Sequence, residues 1–326
     1  MRSQPAPEAP TTLLDELISD VCAGLAGPGQ KRLPSRYLYD DLGTALFEAI
    51  GYLPEYGVTR ADERILRCNA REIIQAMGPR PLTVAELGSG GGRKTRWLLE
   101  AMGTRRSISY YPIDISKAAL ERCALELGRL PAVRVEPIEA DYRDGLSLIA
   151  SRRRADERLL LLFLGSTIGN FEPPEAREFL REVRGRLRPG DGFLLGTDLV
   201  KPAATLIAAY DDALGVTAAF DLNLLRRLNR DLDAEFDLEN FYHEARWNAE
   251  ERRVEMHLVA RMAHVVWIHA IGLGVTFRAG ESIWTESSYK FDSDEPDRIS
   301  KVLPFTPAGQ WLDREWPFAE SLLIAR

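Results

Sequence analysis

Glu86-Leu87-Gly88-Ser89-Gly90-Gly91-Gly92-Arg93-Lys94-Thr95 joins an apolar strand, 82–87, to an amphipathic helix through Trp97, Leu98, Leu99 and Met102. Glycines in such a turn let the backbone approach a ligand closely and adopt positive φ, and the free N–H groups at the helix start donate hydrogen bonds. The chemistry on offer is the cradling of a cofactor, although an ordinary strand-to-helix turn has the same shape. Spacing narrows the choice. A dinucleotide fingerprint, G-x-G-x-x-G, needs a glycine where Arg93 stands, and the phosphate-binding G-x-x-x-x-G-K-[ST] pattern fails at the same position despite Lys94-Thr95. What remains is an E-x-G-x-G-x-G turn. A second strand, 108–113, runs into Asp114 roughly twenty residues further on, where a carboxylate can accept hydrogen bonds from both hydroxyls of a ribose. Ser116 then stands as the N-cap of a helix over 117–127. A third strand, 133–138, is followed by Asp141-Tyr142. One such acid is usually a solvated surface group; Glu86, Asp114 and Asp141 at successive strand ends form a pattern.

A fourth strand, 158–164, is apolar throughout from Leu159 to Leu164, as a strand buried on both faces must be. It ends in Gly165-Ser166-Thr167-Ile168-Gly169-Asn170-Phe171, which brings small residues and an amide beside the glycine loop; Asn170 as a mere cap of the next helix is the equal alternative. With a fifth strand at 192–197 and helices between, the alternation implies a doubly wound parallel sheet, with ligands beyond the carboxyl ends of its strands. Ahead of it lie a helix from Leu13 towards Gly27, a helix through Ala45 to Ile50, aromatic loops at 33–43 and 52–60, and a helix over 60–77. Past Asp198 the alternation stops. A helical stretch to about Leu232 and strand-like runs at 241–248, 253–263 and 265–275 mark a second, inserted α+β unit; strands at 310–316 and 318–325 are expected to complete the first sheet as an antiparallel pair.

Composition excludes several classes. Of 326 residues, 45% are hydrophobic and 28% charged, ordinary for a globular chain, and the net charge of −7 argues against nucleic acid or an anionic membrane surface as partner. No apolar run approaches the roughly 20 residues that span a bilayer. The tail carrying Pro5, Pro7 and Pro10 lacks the order of a signal peptide. Cys22, Cys68 and Cys123 read as unpaired thiols of a reducing compartment, and His243, His257, His264 and His269 have no metal-site spacing. A cytoplasmic, monomeric protein without a metal is expected.

The glycine turn resembles the first motif of class I S-adenosylmethionine-dependent methyltransferases. Longer runs are more specific: Arg36-Tyr37-Leu38-Tyr39-Asp40, Leu53-Pro54-Glu55-Tyr56, residues 163–170, Gly196-Thr197-Asp198-Leu199-Val200-Lys201, residues 210–220 and Thr285-Glu286-Ser287-Ser288. Together they resemble the histidine-specific Nα-methyltransferases of ergothioneine biosynthesis, which trimethylate free L-histidine to hercynine. The resemblance implies a Rossmann-like class I methyltransferase sheet with an inserted α+β substrate-binding domain. It implies a division into 1–60 (tail and helices, part of the substrate domain), 61–198 (cofactor domain), 199–286 (insertion) and 287–326 (closing strands). S-adenosyl-L-methionine would be held by Gly88, Ser89, Gly90, Lys94, Asp114, Asp141 and Tyr142.

By the same resemblance Asn170 and Tyr210 bind the substrate carboxylate, the Gly165 carbonyl faces the amine, and Tyr39 lies against that amine, where its ring favours a growing cation. Tyr56, Glu286 and Ser288 would surround the imidazole, with Met256 as a wall; a carboxylate accepts an imidazole N–H, and a phenyl ring would leave it without a partner. The base that takes the amine proton stays open between Tyr39 and water. The chain departs from the family pattern at Gly57, expected to loosen the loop bearing Tyr56, and at His257 and Tyr289. The competing expectation is an α-N-methyltransferase for another amino acid, such as tryptophan or tyrosine.

Overall fold

The computed structural model describes residues 13–103, 107–152, 154 and 156–326; the proline-bearing tail lies outside them. In chain order the strands are β1 (Lys31–Arg32), β2 (Leu82–Leu87), β3 (Ile108–Asp114), β4 (Val133–Val135), β5 (Ile138–Glu139), β6 (Arg158–Phe163), β7 (Gly192–Asp198), β8 (Phe241–Asn248), β9 (Arg253–Ala260), β10 (His264–Ile268), β11 (Leu273–Phe277), β12 (Ser282–Tyr289), β13 (Phe305–Asp313) and β14 (Phe318–Ala325). The large sheet runs β13-β14-β7-β6-β2-β3-β4, with β5 also beside β3. Pairing is parallel from β7 to β4 and antiparallel where β14 joins β7 and β13 joins β14. Both faces of the central strands are apolar, and helices cover each face with its own core cluster. The connections after β2 and β6 leave towards opposite faces, so a crevice opens at their carboxyl ends.

A second sheet, β1-β12-β9-β8, is built from the insertion and from the chain's early residues, β1 lying parallel to β12. Two helices, Ala203–Tyr210 and Val216–Leu232, pack on it where one helical stretch was expected. Gly215, at φ +73°, breaks the stretch, and Asp212 caps the second helix by accepting from the Val216 and Thr217 N–H groups. The run 265–275 is likewise two strands, β10 and β11, folded back through Gly272 at φ +59°. Strand 133–138 splits into β4 and β5 around Pro137, which has no N–H to give a ladder. The residues from Ser282, expected only to lead back to the large sheet, form β12 in the middle of the second one; β12 runs through residue 286, where a domain boundary was expected. No described helix is long and apolar enough to cross a membrane.

Candidate active site

At the end of β2 the chain turns through Gly88, Gly90 and Gly92, at φ +69°, +51° and +70°. A Cβ on Gly90 or Gly91 would meet nothing within 4 Å, so this face is open to a ligand. Asp114, at the end of β3, holds the loop: Oδ2 accepts the Gly90 N–H and Oδ1 the Ser116 N–H, each at 2.9 Å. The Ile115 N–H also faces this carboxylate, which keeps lone-pair capacity for a ligand hydroxyl. Tyr142 lies over the turn, its hydroxyl 3.2 Å from where a Cβ on Gly88 would stand. Asp141 opens the helix Tyr142–Arg152 by accepting the Arg143 and Asp144 N–H groups. An open glycine loop, a carboxylate with spare lone-pair capacity and an aromatic ring beside it fit an adenosyl cofactor.

Glu86 is not at this surface. Its side chain is buried, accepts the Thr95 and Tyr110 hydroxyls, and burial pushes its carboxyl up to about 7; it ties β2 to its neighbours. Lys94 also points inward: its ammonium pairs with Asp62 beside Gly165, bridging the loops after β2 and β6.

Gly165 and Ser166 follow β6, both left-handed at φ +69° and +61°. For Ser166 this is a strained conformation held by its surroundings. Asp62 Oδ2 accepts the Gly165 N–H at 2.9 Å, and Ser166 Oγ accepts the Asp198 N–H at 2.9 Å. One turn of helix, Thr167–Asn170, then carries the Asn170 amide to β12, where Nδ2 donates to Glu286 Oε1 at 3.1 Å. The Tyr39 hydroxyl donates to the same oxygen at 3.4 Å. Burial, then the charge of nearby Asp221, pushes the Glu286 carboxyl up to about 8. A small cleft beside this cluster is lined by Pro34, Ser35, Asn170, Trp284 and Glu286. Met256 lies opposite Glu286 on β9, next to a bulge between Trp284 and Glu286.

Aromatic rings enclose the other side. Tyr39 meets Phe47 and Phe220 edge-on, each at 5.4 Å between centroids, and Tyr56 meets Phe47 at 6.5 Å and Tyr210 at 5.9 Å. The Tyr210 hydroxyl stands 2.8 Å from Ser288 Oγ, and His243 braces the Tyr210 carbonyl through Nε2 at 2.7 Å while Nδ1 faces Asp221 at 2.8 Å. Tyr39, Tyr56, Asn170, Tyr210, Met256, Glu286 and Ser288 thus lie in one contiguous region, with Gly165 adjoining it across the strand-end turn. Groups expected at opposite ends of a substrate are bonded to each other, Asn170 to Glu286 and Tyr210 to Ser288.

Gly57 does not loosen the Tyr56 loop. A Cβ there would stand 2.2 Å from the Trp316 ring, whose indole N–H donates to Asp198 at 2.9 Å. Glycine is what lets the indole close over the loop. Gly57→Ala is expected to lower stability by about 1–3 kcal/mol through overpacking; an unchanged melting temperature would overturn this packing. Tyr289 is turned away, bonded to Glu172 and Arg253, and His257 stacks on Trp284.

Sequence reasoning missed Phe47, Phe220, Asp62, Glu320 and Lys290. Asp62 did leave a signal: it shares the apolar stripe of Ile65, Leu66 and Ile73 on the helix Val58–Ala76, where a charge has no solvent. Glu320 interrupts the apolar strand β14, and burial together with neighbouring Asp62 holds its carboxyl far above the usual range.

Residues 17–325 match the model of a family described as histidine-specific methyltransferase, SAM-dependent. A histidine N-alpha-methyltransferase of Mycolicibacterium smegmatis is 42% identical over 95% of this chain and 95% of its own length. One from Mycobacterium tuberculosis is 44% identical over 83% of each. Ergothioneine biosynthesis protein 1 of Neurospora crassa is 30% identical over 87% of this chain and 32% of its own length.

Proposed function

This chain belongs to the SAM-dependent, histidine-specific methyltransferases, and from that premise we propose that it methylates the α-amine of L-histidine three times to give hercynine, the first step of ergothioneine biosynthesis. The observation that carries the reading is the meeting of Tyr39 and Asn170 on one oxygen of Glu286, three side chains from distant segments that converge with Tyr210 and Ser288.

S-adenosyl-L-methionine, when bound, would supply an electrophilic methyl for in-line transfer to the amine lone pair, with the sulfonium sulfur leaving as a neutral thioether. Gly88, Ser89 and Gly90 would give it their backbone, Asp114 its ribose contacts, Asp141 and Tyr142 the adenine end, and Lys94 support between the two loops. The remaining work is positioning, worth up to several orders of magnitude in rate. Tyr39 spends its hydrogen on Glu286, so its oxygen is free to accept an amine N–H and aim the lone pair; the Gly165 carbonyl would take another. Asn170 and Tyr210 would anchor the carboxylate, while Tyr56, Met256, Glu286 and Ser288 enclose the imidazole. The rings of Tyr39, Phe47 and Phe220 favour the charge that grows on nitrogen.

Division of labour follows: 61–198 and the closing strands hold the cofactor, the early helices and the insertion hold the substrate, with the later boundary at the end of β12. Free Cys22, Cys68 and Cys123 suit the cytoplasm, and a site drawn from one chain suits a monomer. Incubation of the protein with histidine and methyl-labelled cofactor, followed by mass spectrometry, is expected to show three labelled methyl groups on the α-nitrogen. Turnover of tryptophan or tyrosine with none of histidine would sink the assignment.

A further inference from the structure

Lys290, just past β12, has a side chain with no exposed surface, and its ammonium is engaged by three groups. It donates to the Tyr210 hydroxyl at 2.8 Å and to Ser288 Oγ at 2.9 Å, and it pairs with Asp198 Oδ2 at 3.0 Å. Asp198 in turn accepts from Lys201 Nζ at 2.5 Å and from the Trp316 indole at 2.9 Å. The Lys290 ammonium is thus buried directly behind two hydroxyls of the substrate region.

The polarity of those hydroxyls follows from elementary bonding. An ammonium has donors and no acceptor, so both oxygens must accept from Lys290 and turn their hydrogens away from it. One hydrogen can bridge the 2.8 Å between Tyr210 and Ser288. The other is left for an acceptor in the pocket. Hydrogen bonds backed by a buried charge are about twice as strong as neutral ones, and leaving such donors unmatched is costly.

We propose that Lys290 is a positioning residue of the substrate site: by donating to the Tyr210 and Ser288 oxygens it turns a hydroxyl hydrogen towards the pocket, and through that donor it selects a substrate that carries a carboxylate next to the amine. The proposal rests on the reading above only for the substrate class, an α-amino acid.

The test compares kcat and KM for histidine and for its carboxamide, which has the same imidazole and amine but no charge at the acid end. The intact protein is expected to favour the acid by ~100-fold or more, as sites built around buried donors do. Lys290→Met is expected to bring that preference below ~10-fold, through a higher KM for the acid, with cofactor binding unchanged. Lys201→Met removes the other lysine on Asp198 and touches neither hydroxyl, so it should retain the preference. Should Lys290→Met fail to fold, Asp198→Asn/Lys290→Met removes opposite charges together and gives the same reading. A preference left at its original size in the folded Lys290 variant, or abolished equally by Lys201→Met, overturns the proposal. The ratio is taken with whichever amino acid the intact protein methylates, so failure on histidine counts against the substrate reading and leaves this test in force.

Discussion

Replacing Glu286 with alanine is expected to reduce kcat/KM for histidine by roughly 10³-fold while leaving the affinity for S-adenosylhomocysteine within a few-fold of its original value. The carboxylate is the proposed acceptor for the imidazole N–H, and it also gathers the Tyr39 and Asn170 side chains onto one oxygen. Its removal leaves two half-buried donors without a partner as well as the ligand. Titration calorimetry for the cofactor product and steady-state assays for histidine separate the effects. Equal losses in both would place Glu286 away from the substrate. The same residue sets a pH dependence. Burial raises the Glu286 carboxyl from its usual 4.5 to about 8, so below that pH it is neutral, and above it the charged acceptor form prevails. Because the acceptor form is the one that takes an imidazole N–H, kcat/KM for histidine should rise as pH rises through about 8. The substrate amine also loses a proton on that limb. Glu286→Gln keeps the shape and cannot ionise, so its limb should lose one of the two protons; a profile identical to the original would remove Glu286 from the pH response.

Asp114→Ala should have the opposite signature. The carboxylate holds the Gly90 and Ser116 N–H groups as well as the proposed ribose contacts, and losing charged hydrogen bonds of this kind costs on the order of 3 kcal/mol, or ~100-fold in cofactor affinity. Part of that loss is loop order, since Gly90 at φ +51° keeps its left-handed turn with Asp114 as clamp. Asp114→Asn, which retains one acceptor oxygen, should fall between the two. Calorimetry with S-adenosylhomocysteine checks both variants, and an unchanged affinity in the alanine variant would withdraw the ribose assignment. Histidine turnover at saturating cofactor should recover most of its rate, in contrast to Glu286→Ala.

Local pattern served best where structure is local. The strand β2, its glycine turn, the carboxylate at the end of β3 and the Ser116 cap all follow from neighbours within a few residues, and all are present. Errors came where distant packing overruled local signals. The strand expected at 310–316 is β13, Phe305–Asp313, although Pro307 lies inside it; an edge strand has no donor to lose on its outer side, and a bulge between Pro307 and Gly309 absorbs the misfit. The helix Glu295–Val302 was not anticipated, being short and mostly polar, with Pro296 in its first turn. Gly57 looked like a loosened loop because its occupant, Trp316, stands far away in the chain.

Chain order and periodicity were enough to establish a doubly wound sheet and its cofactor end, because strand period, turn chemistry and helix caps act over a handful of residues. The partnerships of Glu286 with Tyr39 and Asn170, and of Lys290 with Tyr210 and Asp198, belong to the folded molecule alone. Each joins segments brought together only when β1 and β12 pair and the turn after β6 packs against them, and buried charges disclose their partners only once solvent is excluded.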